Sequence, residues 1–107
     1  MDELEIQPQE VKQRLERGEK FMLVDVRNDW EHEICRIEGA ELMPLSDLTT
    51  HLPKMEAAED VVLYCHHGRR SLDAVAWLRG QGVAQARSMA GGIERWSLEI
   101  DPKVPRY

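Results

Sequence analysis

Cys65-His66-His67-Gly68-Arg69-Arg70-Ser71 gathers a thiol, two imidazoles and two guanidinium groups into one short stretch of chain. A free thiol titrates near ~8.5 and reacts as its thiolate, so its neighbours decide whether a cysteine is a nucleophile. These neighbours favour the anion. A tight loop ahead of a helix turns successive backbone N–H groups inward as a nest. A helix starting at Ser71 adds the positive end of its dipole, and Arg69 and Arg70 strengthen the field. Gly68 permits a backbone angle that a side chain would resist, which lets the loop close on itself. The pattern predicts thiolate chemistry on an anionic substrate, with Cys65 as nucleophile and His66, His67, Gly68, Arg69 and Arg70 lining the substrate site. The competing reading, an inert core thiol, leaves the polar loop without a purpose.

The two histidines carry less. Adjacent histidines in a loop are expected to point in different directions, and with one cysteine they match no ligand set of known spacing. No metal and no cofactor is expected; His66 and His67 supply backbone N–H groups and shape the mouth of the pocket.

The elements that must hold this loop follow from apolar patterning. Val61–Tyr64 is a β-branched apolar run that delivers Cys65 to a strand end, and Ser71-Leu72-Asp73-Ala74-Val75-Ala76-Trp77-Leu78 is amphipathic, a helix stopping near Gly80 or Gly82. Phe21–Val24 reads as a second buried strand ending at Asp25. Short strands are expected around Leu4–Ile6, Glu41–Met43 and Ala86–Met89. Pro8 suits the first turn of a helix that Gly18 stops. Asp29 is placed as the cap of a helix to Ile34, and Ser46 as the cap of one through Leu52 that Pro53 closes. Ile93 to Trp96 begin a last helical turn, and residues 101–107, with two prolines, read as a tail. Strands alternating with helices imply a parallel sheet covered on both faces, and ligands bind beyond the carboxyl ends of such strands. Cys65 sits at one of those ends.

The chain has 107 residues, 42% of them apolar and 32% charged, which is the size and composition of one globular domain, residues 1–107. Twenty acids against 14 bases give a net charge of −6, which argues against a nucleic-acid surface. No apolar run approaches the ~20 residues that cross a bilayer, and the acidic start, Met1-Asp2-Glu3-Leu4-Glu5, lacks the features of a secretory signal. Two cysteines, Cys35 and Cys65, are too few for a disulfide scaffold. A reducing cytoplasm is the expected compartment.

In order and spacing, Leu23-Val24-Asp25-Val26-Arg27, Trp30-Glu31, Ile37-Glu38-Gly39-Ala40, Pro44-Leu45, Val62-Leu63-Tyr64-Cys65 through Arg70-Ser71, and Gly91-Gly92-Ile93 with Trp96 resemble a single-domain rhodanese-like sulfurtransferase over nearly the whole chain. The resemblance implies a three-layer α/β/α domain with a central five-stranded parallel sheet. It implies an enzyme that moves sulfane sulfur from a donor such as thiosulfate to cyanide or a thiol, by ping-pong kinetics through a Cys65 persulfide. A small anionic sulfur donor and a thiol or protein acceptor are then the partners, with the chain a monomer or homodimer. Cys65 to Arg70 matches the loop length of sulfur-transferring members. Fold-related phosphatases and arsenate reductases use a loop one residue longer, which would need arginine where Ser71 stands. A persulfide relay and a non-enzymatic binding module are the alternatives within the family.

Three residues are assigned to support. Asp25 and Arg27 follow a buried strand at the same sheet edge and are expected to form an ion pair that fixes loop geometry. Ser71 opens the helix behind the loop. Cys35 and Arg36 depart from the family's usual small residue and histidine, which raises Cys35 as a resolving thiol against the simpler reading of a small buried residue. Trp30, Trp77 and Trp96 are expected in the core or pocket wall.

Overall fold

A computed structural model describes residues 4–107; residues 1–3, the first part of the acidic start, lie outside the described residues. Five strands form one parallel sheet: β1 (Glu5–Ile6), β2 (Met22–Asp25), β3 (Glu41–Leu42), β4 (Val61–Tyr64) and β5 (Ala86–Met89), in the order β1-β5-β4-β2-β3. The strand at the centre is β4, and Val61–Tyr64 are buried throughout. A strand with neighbours on both edges and helices on both faces has no exposed side, which is why its sequence is a continuous apolar run.

Side chains alternate along β4. Val61, Leu63 and Cys65 join one core with Val24, Val26, Leu48, Met55, Ala74, Val75 and Leu78. Val62 and Tyr64 point the other way, into a core of Ile6, Val11, Leu23, Cys35, Ile37, Met89, Ile93 and Trp96. The first core is covered by α3 (Leu48–Ala57) and α4 (Arg69–Gly80), the second by α1 (Pro8–Glu16) and α5 (Gly92–Arg95). α2 (Asp29–Ile34) bridges β2 to β3. Among the described residues no helix is long and apolar enough to cross a membrane.

Several boundaries differ from the sequence expectations. The residue before α2 is Asn28, in an extended conformation, and its N–H is accepted by the Glu31 carboxylate at 3.0 Å, one half of a capping box. Asp29 is therefore the first helical residue rather than the cap. Leu45–Asp47 form a single 3₁₀ turn, and α3 runs on through Pro53 to Ala57. Leu48 and Met55 are buried a helical stride apart and anchor the helix on both sides of the proline, while Thr49, whose carbonyl loses its donor, lies on the exposed face. Trp96 is buried, but Trp30 and Trp77 are largely exposed.

α4 begins two residues earlier than expected. Gly68, at φ +98°, turns the chain directly into it, so Arg69 and Arg70 belong to its first turn. Residues 101–107 are no loose tail. Ser97 Oγ donates to the Val104 carbonyl at 2.6 Å, Arg106 binds Glu94, and Tyr107 reaches back to the loop after β4.

Candidate active site

Cys65 is the residue immediately after β4 and is 1% exposed. Its Sγ accepts the Gly68 N–H at 3.1 Å, the Ser71 N–H at 3.3 Å and the Ser71 hydroxyl at 3.4 Å. Ser71 Oγ in turn lies 2.7 Å from the hydroxyl of Ser88 on β5, which is fully buried. With the Ser71 proton directed at sulfur, Ser88 donates to Ser71, and a chain of hydroxyls from the neighbouring strand ends on Cys65. Every one of these groups is a donor, so the cradle suits negative charge on sulfur.

The loop is held from behind by α5. The Ile93 N–H binds the Cys65 carbonyl at 2.9 Å, and the Glu94 N–H binds the His66 carbonyl at 3.0 Å. Gly92 makes this approach possible: at φ +63°, an added Cβ would lie 2.5 Å from the carbonyl oxygens of both Cys65 and His66. Turning the two carbonyls toward α5 frees the loop's N–H groups to face sulfur.

Most of the charge near the loop is paired. Arg70 forms a two-pronged ion pair with Glu31, at 2.8 and 2.9 Å. That contact, with the Asn28 N–H and the Tyr107 hydroxyl also donating, holds the Glu31 carboxyl down at about 2. Arg70 is correspondingly fixed in its charged form by Glu31. Tyr107 donates to Glu31 Oε2 at 2.8 Å and accepts from Arg27 Nη1 at 2.8 Å; burial pushes its phenol up to about 12. Arg27 and Asp25 are both fully buried and joined at 2.7 and 2.9 Å. Asp25 also takes His32 Nδ1 at 2.8 Å, and Arg27 Nη2 donates to the Cys35 carbonyl at 2.6 Å. The result is one continuous network from His32 to Arg70.

The site residues expected from sequence therefore separate. Gly68 and Ser71 touch the sulfur directly. Asp25 and Arg27 form their ion pair away from it. Arg70 is occupied by Glu31, whereas Arg69 is exposed and has no ion pair among the described residues. His66 and His67 do not diverge: their rings stack at 3.9 Å and 22°, and Tyr107 stacks on the far side of His66 at 3.8 Å and 8°. Burial, with His67 alongside, lowers the pKa of His66. Sequence reasoning missed Ser88, Glu31 as the partner of Arg70, and Tyr107. A helix-capping pattern was the only local signal at Glu31, and nothing near Ser88 or Tyr107 in sequence points to the loop.

A parallel α/β sheet presents a cysteine in a nest of hydrogen-bond donors at the end of its central strand, an arrangement suited to thiolate chemistry. The sequence pattern of the Rhodanese-like domain matches residues 7–99, and the chain belongs to that family. It is 33% identical over 100 residues to a protein named sulfurtransferase from Allochromatium vinosum, covering 94% of both chains. It is 36% identical over 104 residues to a probable adenylyltransferase/sulfurtransferase, MoeZ, of Mycobacterium tuberculosis, of which it spans 26% of the length. A rhodanese-like domain protein from Staphylococcus aureus shares the fold at a TM-score of 0.81, with 27% identity and 96% and 97% of the two chains covered. The first two of these relatives both carry sulfurtransferase in their names.

Proposed function

We propose that Cys65 carries sulfane sulfur as a persulfide. The observation that carries this reading is the ring of donors on Sγ, the amides of Gly68 and Ser71 and the Ser71 hydroxyl; the loop is also one residue shorter than the one the family resemblance assigns to phosphatases. The Cys65 thiolate attacks the outer sulfur of thiosulfate; the S–S bond of the donor breaks and sulfite leaves with the electron pair. The product is Cys65–S–S⁻. An acceptor nucleophile, cyanide or a thiolate, attacks the terminal sulfur and releases the Cys65 thiolate, which closes a ping-pong cycle. Gly68 and Ser71 stabilise anionic sulfur at both stages. Arg69, exposed and without an ion pair among the described residues, draws in an anionic donor, and Arg70 acts through Glu31 to hold the loop.

A second reading keeps the same chemistry and changes the donor. Arg70 is neutralised by Glu31, so the pocket offers little fixed positive charge to a small dianion. That favours a protein persulfide as donor and poor turnover of thiosulfate, a relay role in keeping with the adenylyltransferase/sulfurtransferase names of longer relatives. Intact-mass analysis separates the possibilities. After incubation with thiosulfate, wild type is expected to gain one sulfur, lost again with cyanide or dithiothreitol and absent in Cys65→Ala. A gain only from a protein persulfide supports the relay. No gain from any sulfane donor, with hydrolysis of an aryl phosphate, overturns both.

A further inference from the structure

Glu94 is brought to the loop by backbone geometry. Its N–H is bound to the His66 carbonyl, so its side chain starts beside the stacked imidazoles. One ring nitrogen from each of His66 and His67 and one carboxylate oxygen of Glu94 all lie within 4.8 Å of one another. His66 Nε2 is buried with no hydrogen-bond partner among the described residues, and a buried polar atom without a partner is destabilising. Arg106 binds Glu94 through Oε2 alone, with Nε at 3.0 Å and Nη2 at 2.7 Å, which leaves Oε1 with its lone pairs available.

We propose that His66, His67 and Glu94 form a three-ligand site for a divalent cation of zinc type at the mouth of the Cys65 loop. Two imidazoles and one carboxylate are a recognised donor set for zinc, and three protein ligands leave one position open. Ligand bonds of ~2.1 Å in a tetrahedral site place the donor atoms about 3.4 Å apart. The two rings stack nearly parallel, at 22°, so their in-plane lone pairs converge only when exposed His67 rotates out of the stack and Glu94 turns toward it. Tyr107, stacked on the outer face of His66, holds that ring in place. Hard cations such as magnesium, which prefer oxygen, are not accommodated. Because the site ties the residue next to Cys65 to α5, a bound ion restrains the loop and slows sulfur transfer; this consequence rests on the sulfurtransferase reading.

The test is zinc titration by calorimetry of the full chain carrying Cys65→Ser, which removes the reactive thiol as a competing ligand. One equivalent is expected to bind, with affinity lowered about tenfold or more by adding either His67→Ala or Glu94→Gln. Cobalt substituted for zinc should give the visible absorption of a low-symmetry site in Cys65→Ser and lose it in Glu94→Gln. His67 is exposed, so its variant keeps the fold, as circular dichroism can verify. No saturable binding to Cys65→Ser, or equal affinity in all three proteins, overturns the site. In chains retaining Cys65, the zinc concentration that halves sulfur transfer should rise about tenfold with Glu94→Gln. If binding follows the ligands but transfer is insensitive to zinc, the site stands and the brake is wrong. If the chain transfers no sulfur, binding is still measured.

Discussion

Cys65 and Cys35 are both buried, and they differ in what reaches the sulfur. Cys65 Sγ receives two backbone amides and a hydroxyl within 3.4 Å. Among the described residues, Cys35 Sγ has only Arg27 Nη1 at 3.9 Å, from a guanidinium already committed to Asp25, Tyr107 and the Cys35 carbonyl. The two also sit in cores on opposite faces of the sheet. The sulfur beside an arginine is thus not the one with the fuller set of donors. Cys65 is held by uncharged dipoles that have no counter-ion of their own, while Arg70 and Arg27 are taken up by Glu31 and Asp25. The placement of the two cysteines in different cores also argues against Cys35 as a resolving thiol.

The contrast breaks most sharply at the cysteines. Cys65→Ala should abolish both persulfide formation and turnover, whereas Cys35→Ala should leave kcat/KM within about twofold. Intact mass and steady-state rates measure both. A large loss of transfer in Cys35→Ala with the fold intact would mean that burial side by side with Arg27 does more than pack.

The next largest effect tests the cradle. Ser71→Ala removes the hydroxyl from sulfur but keeps the amide, a loss of about 1–1.5 kcal/mol, or close to tenfold in kcat/KM. Ser88→Ala acts only through Ser71 and should cost less. The double variant should fall short of the product of the two, because both sit on one hydrogen-bond chain. Equal and independent losses would show that Ser88 acts by another route.

The legible parts of this site are those that lie close together in sequence. Val61–Tyr64 announces a central strand because both faces are buried, and the glycine and serine after Cys65 are within reach of its sulfur by chain connectivity alone. The loop's other partners arrive through topology. Strand β5 lies beside β4 in space, which puts Ser88 behind Ser71, and α5 contributes Gly92 and Glu94 from some thirty residues away. Tyr107 was hidden by its prolines, which mark irregular backbone and say nothing of where it packs. Arg69 and Arg70 look equivalent in sequence. The helix separates them by starting at Arg69, so that one side chain turns to Glu31 and the other to solvent. Pro53 misled for a related reason: its lost hydrogen bond was counted, and the packing of Leu48 and Met55 across it was not.

That separation gives a smaller, sharper prediction. Arg69→Ala should raise KM for thiosulfate about threefold and leave a neutral organic donor unaffected, since an exposed charge acts by steering. Arg70→Ala should lower kcat/KM by the same factor for both donors, because it works through loop geometry. A selective effect of Arg70 on thiosulfate would return it to the role of anion ligand that its sequence position suggests. Glu31→Gln should then lower KM for thiosulfate in wild-type background by releasing that guanidinium.

The last effect concerns stability. Glu31 titrates at about 2 in the folded chain against 4.5 for the free group, with Arg70 as the first cause. A depressed carboxyl contributes stability that is fully present above pH 4.5 and is lost as pH falls through the folded value. Wild type and Glu31→Gln should therefore differ most at neutral pH and converge toward pH 2. The Arg70 side chain is 35% exposed, so solvent screens the pair and the gap is expected to be only about 1 kcal/mol. Urea midpoints at pH 6 and pH 3 measure it. A gap that persists unchanged at acid pH would assign the contribution of Glu31 to its hydrogen bonds with Asn28 and Tyr107, which glutamine partly keeps, and not to charge. The network that surrounds Cys65 would then be a geometric brace throughout, with its charges incidental to how the loop is held.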